Sequence, residues 1–293
     1  MAIATPTPAF DEAGLGTWTD ELRMEVTREQ LVAYAQATND PLDAHRRGDL
    51  ASPVFAIVPV FHALLAPALE VVPVSLFGRI LHGEQDFRFH RPIVPGDVLV
   101  SRGMMTGWEG RENGTRACVH LESRDAQGAL VTEQHVTFFV RGFDDGRTIG
   151  ELAPPHRFDD ALRAADPVVD VVQHVDDDQT FRYAEAAGDP MPIHLDEDAA
   201  AHAGLPGIIA HGLCVLAFSS WGILQGLGEP DARRLRRLAV RFSKPVLPGQ
   251  DLRTQAWRKT VPVDGGIAYG YETTVGDVPV LRDGLVVLGE QEA

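Results

Sequence analysis

Polar and apolar residues recur at helical spacing from Thr27 and again from Asp176, and in each place a glutamine (Gln30, Gln179) follows three residues later, as in a capping box. Both predicted helices end at a turn signal, Asn39-Asp40-Pro41 in one and Gly188-Asp189-Pro190 in the other. A loop follows each, and then a second, more apolar helix: VFHALLAPALEVV (60–72) and GLCVLAFSSWGILQGLG (212–228). The latter is apolar nearly all round, which marks a helix buried on every side. Strand-like runs bounded by turns come next. They are VLVSRGMMTGW (98–108), TRACVHLESR (115–124) and LVTEQHVTFFV (130–140), then LRTQAWRKTV (252–261), IAYGYETTV (267–275) and VPVLRDGLVVLG (278–289). One buried helix followed by several antiparallel strands predicts the α+β class, a sheet curled around a helix. Two such units side by side can form one continuous sheet.

The two halves also resemble each other in residues. Shifting the chain by 149 places residues 26–45 on 175–194 with eight identities in twenty positions, including Tyr34 on Tyr183, Asp40 on Asp189, Pro41 on Pro190 and His45 on His194. The same shift puts His62 on His211. A shift of 153 places RFHRPIVPGDVL (88–99) on RFSKPVLPGQDL (241–252), with Phe89 on Phe242 and Gly96 on Gly249. Such self-similarity predicts two copies of one unit. The expected boundaries are an N-terminal unit over 1–145, a linker over 146–167 and a C-terminal unit over 168–293, the join falling in the Asp-, Gly- and Pro-rich stretch 142–167.

Charge narrows the partners. A formal charge of −16 over 293 residues disfavours nucleic acid, whose phosphates need a basic face. No membrane-spanning segment and no secretory signal are read in the sequence, so a membrane partner is not expected and the cytoplasm is the expected compartment. Two cysteines, Cys118 and Cys214, make neither a zinc pattern nor a disulfide framework. One basic run, DARRLRRLAVRFSK (231–244), reads equally as a solvated edge or an anion site.

The chemistry concentrates in YAEAAGDPMPIHLD (183–196). Pro190 pushes Asp189 out of helical geometry, and Pro190 with Pro192 stiffens the loop that carries Asp189 and His194. Met191 and Ile193 are the apolar neighbours. A fixed, partly desolvated carboxylate and imidazole suit acid–base catalysis. Gly212 falls in the first turn of the buried helix, where free amides can hold a carbonyl oxygen that gains negative charge. Ala63 stands at the matching place in the first unit. Two other constellations compete: His194 and Asp196 with His211 as a two-histidine, one-carboxylate iron site, and Asp189, His194 and Ser219 or Ser220 as a hydrolase triad. Neither serine sits in a nucleophile elbow.

The long stretch YAEAAGDPMPIHLDEDAAAHAGLPGIIAHGLC (183–214) resembles the signature of the MaoC-like, hydratase 2 family of (R)-specific enoyl-CoA hydratases. ILHGEQDFRFHRPI (80–93) and VRFSKPVLPGQDL (240–252) resemble further stretches of its two-unit members. The resemblance implies a double hotdog fold with a catalytic C-terminal unit and a degenerate N-terminal unit that shapes the acyl pocket. It implies Asp189 and His194 as the catalytic pair, Gly212 as the oxyanion amide, and Phe242, His82 and Gly83 as contacts of the thioester. Pro190, Met191, Pro192 and Ile193 would flank the substrate. Strand alternation from Phe242 would bring Lys244 to the same face for a phosphate contact. The reaction implied is reversible hydration of a trans-2-enoyl thioester of coenzyme A or acyl-carrier protein to the (3R)-3-hydroxyacyl thioester. No metal or redox cofactor is called for, since the thioester itself acidifies C2. A homodimer is expected. The sequence departs from the family pattern at Met191, where the family has Asn, and at Ala187, where it has Ser. A non-catalytic acyl-thioester-binding module and a hotdog thioesterase are the alternatives.

Overall fold

The structure is a computed structural model that describes residues 9–290. The first half contains β1 (Leu22–Glu25), α1 (Arg28–Ala37), α2 (Asp43–Arg46), a 3-10 helix (Pro53–Val60) that runs into α3 (Phe61–Val71), then β2 (Ile80–Phe89), β3 (Val98–Arg111), β4 (Gly114–Arg124), β5 (Leu130–Arg141) and the short β6 (Thr148–Gly150). The second half contains β7 (Val169–His174), α4 (Gln179–Ala187), α5 (Glu197–His202), α6 (Gly212–Gly226), β8 (Leu235–Phe242), β9 (Asp251–Arg258), β10 (Ile267–Val275) and β11 (Val278–Leu288). All eleven strands belong to one sheet, in the order β1-β3-β4-β5-β2-β8-β11-β10-β9-β7, with β6 beside β3. Read from its centre outward the order is the same in both directions, so the halves are related by a pseudo-twofold axis.

That axis can be located from side chains. Asp86 of β2 lies directly opposite Ala239 of β8, and 239 − 86 = 153, the repeat shift of this block. The hydroxyls of Tyr34 and Tyr183, equivalent at a shift of 149, meet each other at 3.3 Å between α1 and α4. Equivalent residues touch only on a twofold axis. Helix α6 is the buried core of the second half, with residues 213–224 all buried. The expected helix over 60–72 is α3, one residue shorter at each end; a 3-10 helix runs into it, and the joined segment Pro53–Val71, unforeseen in the sequence, is long and apolar enough to cross a membrane but is mostly packed in the core, with Leu65 and Leu69 exposed. The expected start at Asp176 also shifts. At Thr27 the capping box is complete, but α4 starts at Gln179 with Asp178 as its N-cap. The Asp176 carboxylate is engaged elsewhere, by the Asn39 amide (2.9 Å) and Arg182 (2.6 Å).

A buried ion pair fastens the junction. Arg237 on β8 is 4% exposed and donates twice to Asp86 of β2, which is 1% exposed, at 2.9 and 2.7 Å. It also reaches Asp264 at 3.2 Å. Arg237 is therefore not available to an external anion, which corrects the reading of the 231–244 run as one basic patch. Arg234 pairs with Glu229 and Arg233 with Asp231. Removing one partner of a buried pair strands the other charge, at a cost of about 3–5 kcal/mol. Arg237→Met should lower the denaturant midpoint accordingly, and Asp86→Ala added to it should recover part of the loss. A single variant with wild-type stability would show that the pair does not fasten the halves.

Candidate active site

Helix α4 ends in a left-handed turn at Gly188 (φ +68°), and the chain then swings out through Asp189 and Pro190. Asp189 accepts from the Met191 amide at 3.2 Å, which curls the loop back on itself. A 3-10 turn at Pro192–His194 delivers His194, 9% exposed, beneath the segment 207–210. That segment is held on both sides: the Ile209 amide donates to the Ile193 carbonyl at 3.4 Å and the Ala210 amide to the Val246 carbonyl at 2.7 Å. His194 Nδ1–H donates to the Ile209 carbonyl at 2.8 Å. This fixes the tautomer, so Nε2 carries the lone pair. Asp189, with its side chain 15% exposed, forms the rim of the site.

Burial sets the electrostatics. Desolvation raises the Asp189 carboxyl above its ordinary 3.8, opposed by the His194 ring and the Met191 amide. Desolvation likewise lowers His194 below 6.5, opposed by its bond to Ile209 and by Asp189. Both shifts favour the uncharged forms, and they bring the two proton affinities closer together.

The first turn of α6 begins at Gly212 with no side-chain cap, so its leading amides face the site at the positive end of the helix. A Cβ at Gly212 would lie 3.1 Å from the Phe242 ring, which makes glycine necessary for the ring to close on the helix start. Phe242 in turn meets the His82 ring edge-on at 4.9 Å, so β2 of the first half reaches the site of the second. Burial pushes His82 down to about 4 and keeps it neutral.

The structure thus brings Asp189, His194, Gly212, Phe242 and His82 together. Pro190, Met191 and Pro192 are exposed on the loop, and Ile193 is half-buried. Gly83 has a nearer reason than ligand approach: at the bulge between His82 and Glu84 its Cβ would lie 3.0 Å from the Thr137 carbonyl of β5. Lys244 is exposed but lies past the end of β8 at Phe242, so strand alternation does not place it. Asp196 does not join His194: its carboxylate caps α5 through the Ala199 amide at 2.7 Å. The three groups that do gather, with one ligand-type atom each inside 4.8 Å, are Asp189, His194 and His211. Two of their four ring nitrogens already donate to main-chain carbonyls. Ser219 bonds Thr273 (2.7 Å) and the Val215 carbonyl, and Ser220 bonds the Ala217 carbonyl, so both serve the packing of α6. The sequence marked His211 through its repeat partner His62, its place before the helix-starting glycine and its candidacy as a ligand with His194, but not through its stacking on that ring.

The first half keeps the same phrase in a different setting. Asp40 and His45 are both buried, and His45 Nδ1–H donates directly to the Asp40 carboxylate at 2.7 Å. Ser52 adds a bond at 2.6 Å and the Leu42 amide one at 3.0 Å. His45 Nε2 is buried without a partner. The α3 start is closed as well, because the Phe61 amide donates to Val58 in the preceding 3-10 helix. No water or substrate can lie between a carboxylate and a ring already in contact.

Comparisons with known proteins follow this division. Residues 163–274 match the family profile described as MaoC like domain, and residues 13–134 match the FAS1-like, dehydratase domain region. The chain is 31% identical over 216 residues to the peroxisomal multifunctional enzyme type 2 of Mus musculus, covering 71% of this chain but only 28% of that enzyme. It is 29% identical over 265 residues to 3-hydroxyacyl-thioester dehydratase Y of Mycobacterium tuberculosis, covering 85% of this chain and 88% of that one. A MaoC-like dehydratase from Phytophthora capsici superposes with a TM-score of 0.80 at 21% identity, over 96% of this chain and 98% of that one. A Mycobacterium tuberculosis protein described as a double hotdog fold superposes with a TM-score of 0.59 at 15% identity, over 95% and 96% of the two chains.

Proposed function

Because the chain belongs to the MaoC-like dehydratases, we propose that it catalyses the reversible hydration of a trans-2-enoyl thioester to the (3R)-3-hydroxyacyl thioester. The observation that carries this reading is the open arrangement of Asp189 and His194 beside the uncapped Gly212 amide, against the closed arrangement of Asp40 and His45.

The geometry of the site supports the following steps. The thioester carbonyl lies on the Gly212 amide, against Phe242. One water donates to the lone pair on His194 Nε2 and to the Asp189 carboxylate. Its oxygen bonds to C3 while a proton passes to Asp189, whose proton affinity burial has raised. Electrons move to the thioester oxygen and the helix start stabilises that charge. Asp189 then returns the proton to C2 on the same face, so H and OH add once each and the enzyme is unchanged. Dehydration is the reverse.

If this is right, Asp189→Asn and His194→Gln each lose at least about a hundredfold in kcat, the scale for a positioned acid or base. Asp40→Asn and His45→Gln keep turnover per folded molecule within about several-fold of wild type while losing stability, since a buried bond is removed. Equal losses in both halves would mean two working sites. The pH dependence has a definite sign. Activity requires ionised Asp189 and neutral His194, and acidification removes both. The acid limb of kcat/KM therefore lies in the window above the ordinary carboxyl value of 3.8, with activity flat beyond it. An optimum on the acid side of that window would contradict these roles.

For a coenzyme A thioester the phosphates need cations. Of the basic run, Arg236, Arg241 and Lys244 have no carboxylate partner among the described residues, and Lys244 lies two residues beyond Phe242. Lys244→Ala should raise KM for an enoyl-CoA several-fold with kcat nearly unchanged, the mark of lost uniform binding. It should leave a short enoyl-pantetheine thioester unaffected. Equal increases for both substrates would place the phosphates elsewhere.

A further inference from the structure

One side chain joins Asp189, His194 and the start of α6. His211 is the N-cap of α6, so it sets where the Gly212 amide begins the helix. Its Nε2–H donates to the Asp189 main-chain carbonyl at 3.2 Å and lies 4.0 Å from the Asp189 carboxylate. Its ring stacks on His194 with centroids 3.8 Å apart and planes 26° apart. The Tyr183 ring of α4 lies 4.9 Å away. The residue is 2% exposed, and its Nδ1 is buried with no hydrogen-bond partner.

An unpaired buried nitrogen is destabilising, so packing alone favours a hydrocarbon ring here. What an imidazole adds is a donor on one nitrogen together with a flat face. Resting on the hydration reading above, we propose that His211 is the positioning residue of this site. Its donor fixes the loop at Asp189, its face fixes the ring of His194, and its place at the helix start holds both against the Gly212 amide. It is not itself a proton carrier. Burial and the neighbouring His194 push it down to about 3, so it stays neutral wherever the dyad works. The titratable groups around it are Asp189 and His194 on the loop, Tyr183 on α4, Cys214 one turn along α6, and His82 of β2 beyond Phe242. Tyr183 and Cys214 are raised by burial, and none of these places a fixed charge against the ring other than Asp189.

Two substitutions separate the two jobs. His211→Gln keeps a donor and loses the stacking face. His211→Phe keeps the face and loses the donor. Displacing a catalytic group by about 1 Å costs on the order of a hundredfold, so each variant should lose roughly ten- to a hundredfold in kcat with KM within about threefold. The acid limb should respond differently. In His211→Gln water reaches His194, whose proton affinity rises toward the ordinary imidazole value, so the limb moves to higher pH. In His211→Phe the limb stays in place while kcat falls. Nitrogen-15 NMR of the ligand-free protein reads the same thing directly, as the tautomer and titration point of His194. The proposal is overturned if either folded variant keeps wild-type kcat. It is also overturned if kcat falls only in step with thermal stability and the His194 titration is unmoved in His211→Gln. A wild-type protein inert toward enoyl thioesters overturns the hydration reading alone, because the NMR arm still reports whether His211 positions His194.

Discussion

A curled half-sheet has an open edge, and in this protein each half closes the other's. Strand β2 would otherwise present unpaired amides and carbonyls to solvent, and so would β8. Pairing them antiparallel, from Glu84 opposite Arg241 to Arg88 opposite Arg237, satisfies both edges at once. Everything else in the molecule is arranged around that junction. It puts Asp86 opposite Ala239 and Tyr34 against Tyr183 on the pseudo-twofold axis. It also brings His82 of one half against Phe242 of the other, so the site in the second half is completed by the first.

Twofold geometry then meets unequal sequence. At equivalent turns Gly188 and Asn39 both adopt left-handed backbone, at φ +68° and +50°, which glycine and asparagine tolerate best. The asparagine gains a second task, donating to Asp176 in the turn before α4. The Gln179 amide and the Trp221 indole bond the carbonyls of Ala37 and Thr38 in return. The first copy of the turn has become adhesive. Its Asp and His have closed on each other in the core, while the second copy keeps them apart, with Asp189 at the rim and His194 buried below it. One phrase gives structure in one setting and the means for chemistry in the other. The difference lies in what each histidine's Nδ1 finds, a carboxylate for His45 and a backbone carbonyl for His194.

Much of this was legible in the sequence because it is local or periodic. Helix α6, the six strand runs and the capping box at Thr27 follow from spacing within a few residues. The two-unit sheet follows from the repeat. Other features depend on contacts that spacing does not encode. The basic run could not be divided by inspection, since the fate of Arg237 is decided by Asp86, 151 residues away. Lys244 was placed by an alternation that stops at Phe242. The close packing of Gly83 on the Thr137 carbonyl of β5 is another such contact. His211 was a possible third ligand beside His194 and Asp196, but the fold stacks it on His194 and sends Asp196 to cap a helix.

The central claim is that one water, held between Asp189 and His194, adds across an enoyl thioester activated at the start of α6. The most direct measurement is hydration of a short trans-2-enoyl thioester in D2O, with the product resolved by proton NMR and chiral analysis. The account predicts a single (3R)-3-hydroxyacyl thioester carrying one deuterium at C2, delivered to the same face as the oxygen. A (3S) product, a mixture of C2 diastereomers, or release of free thiol in place of hydration would contradict it.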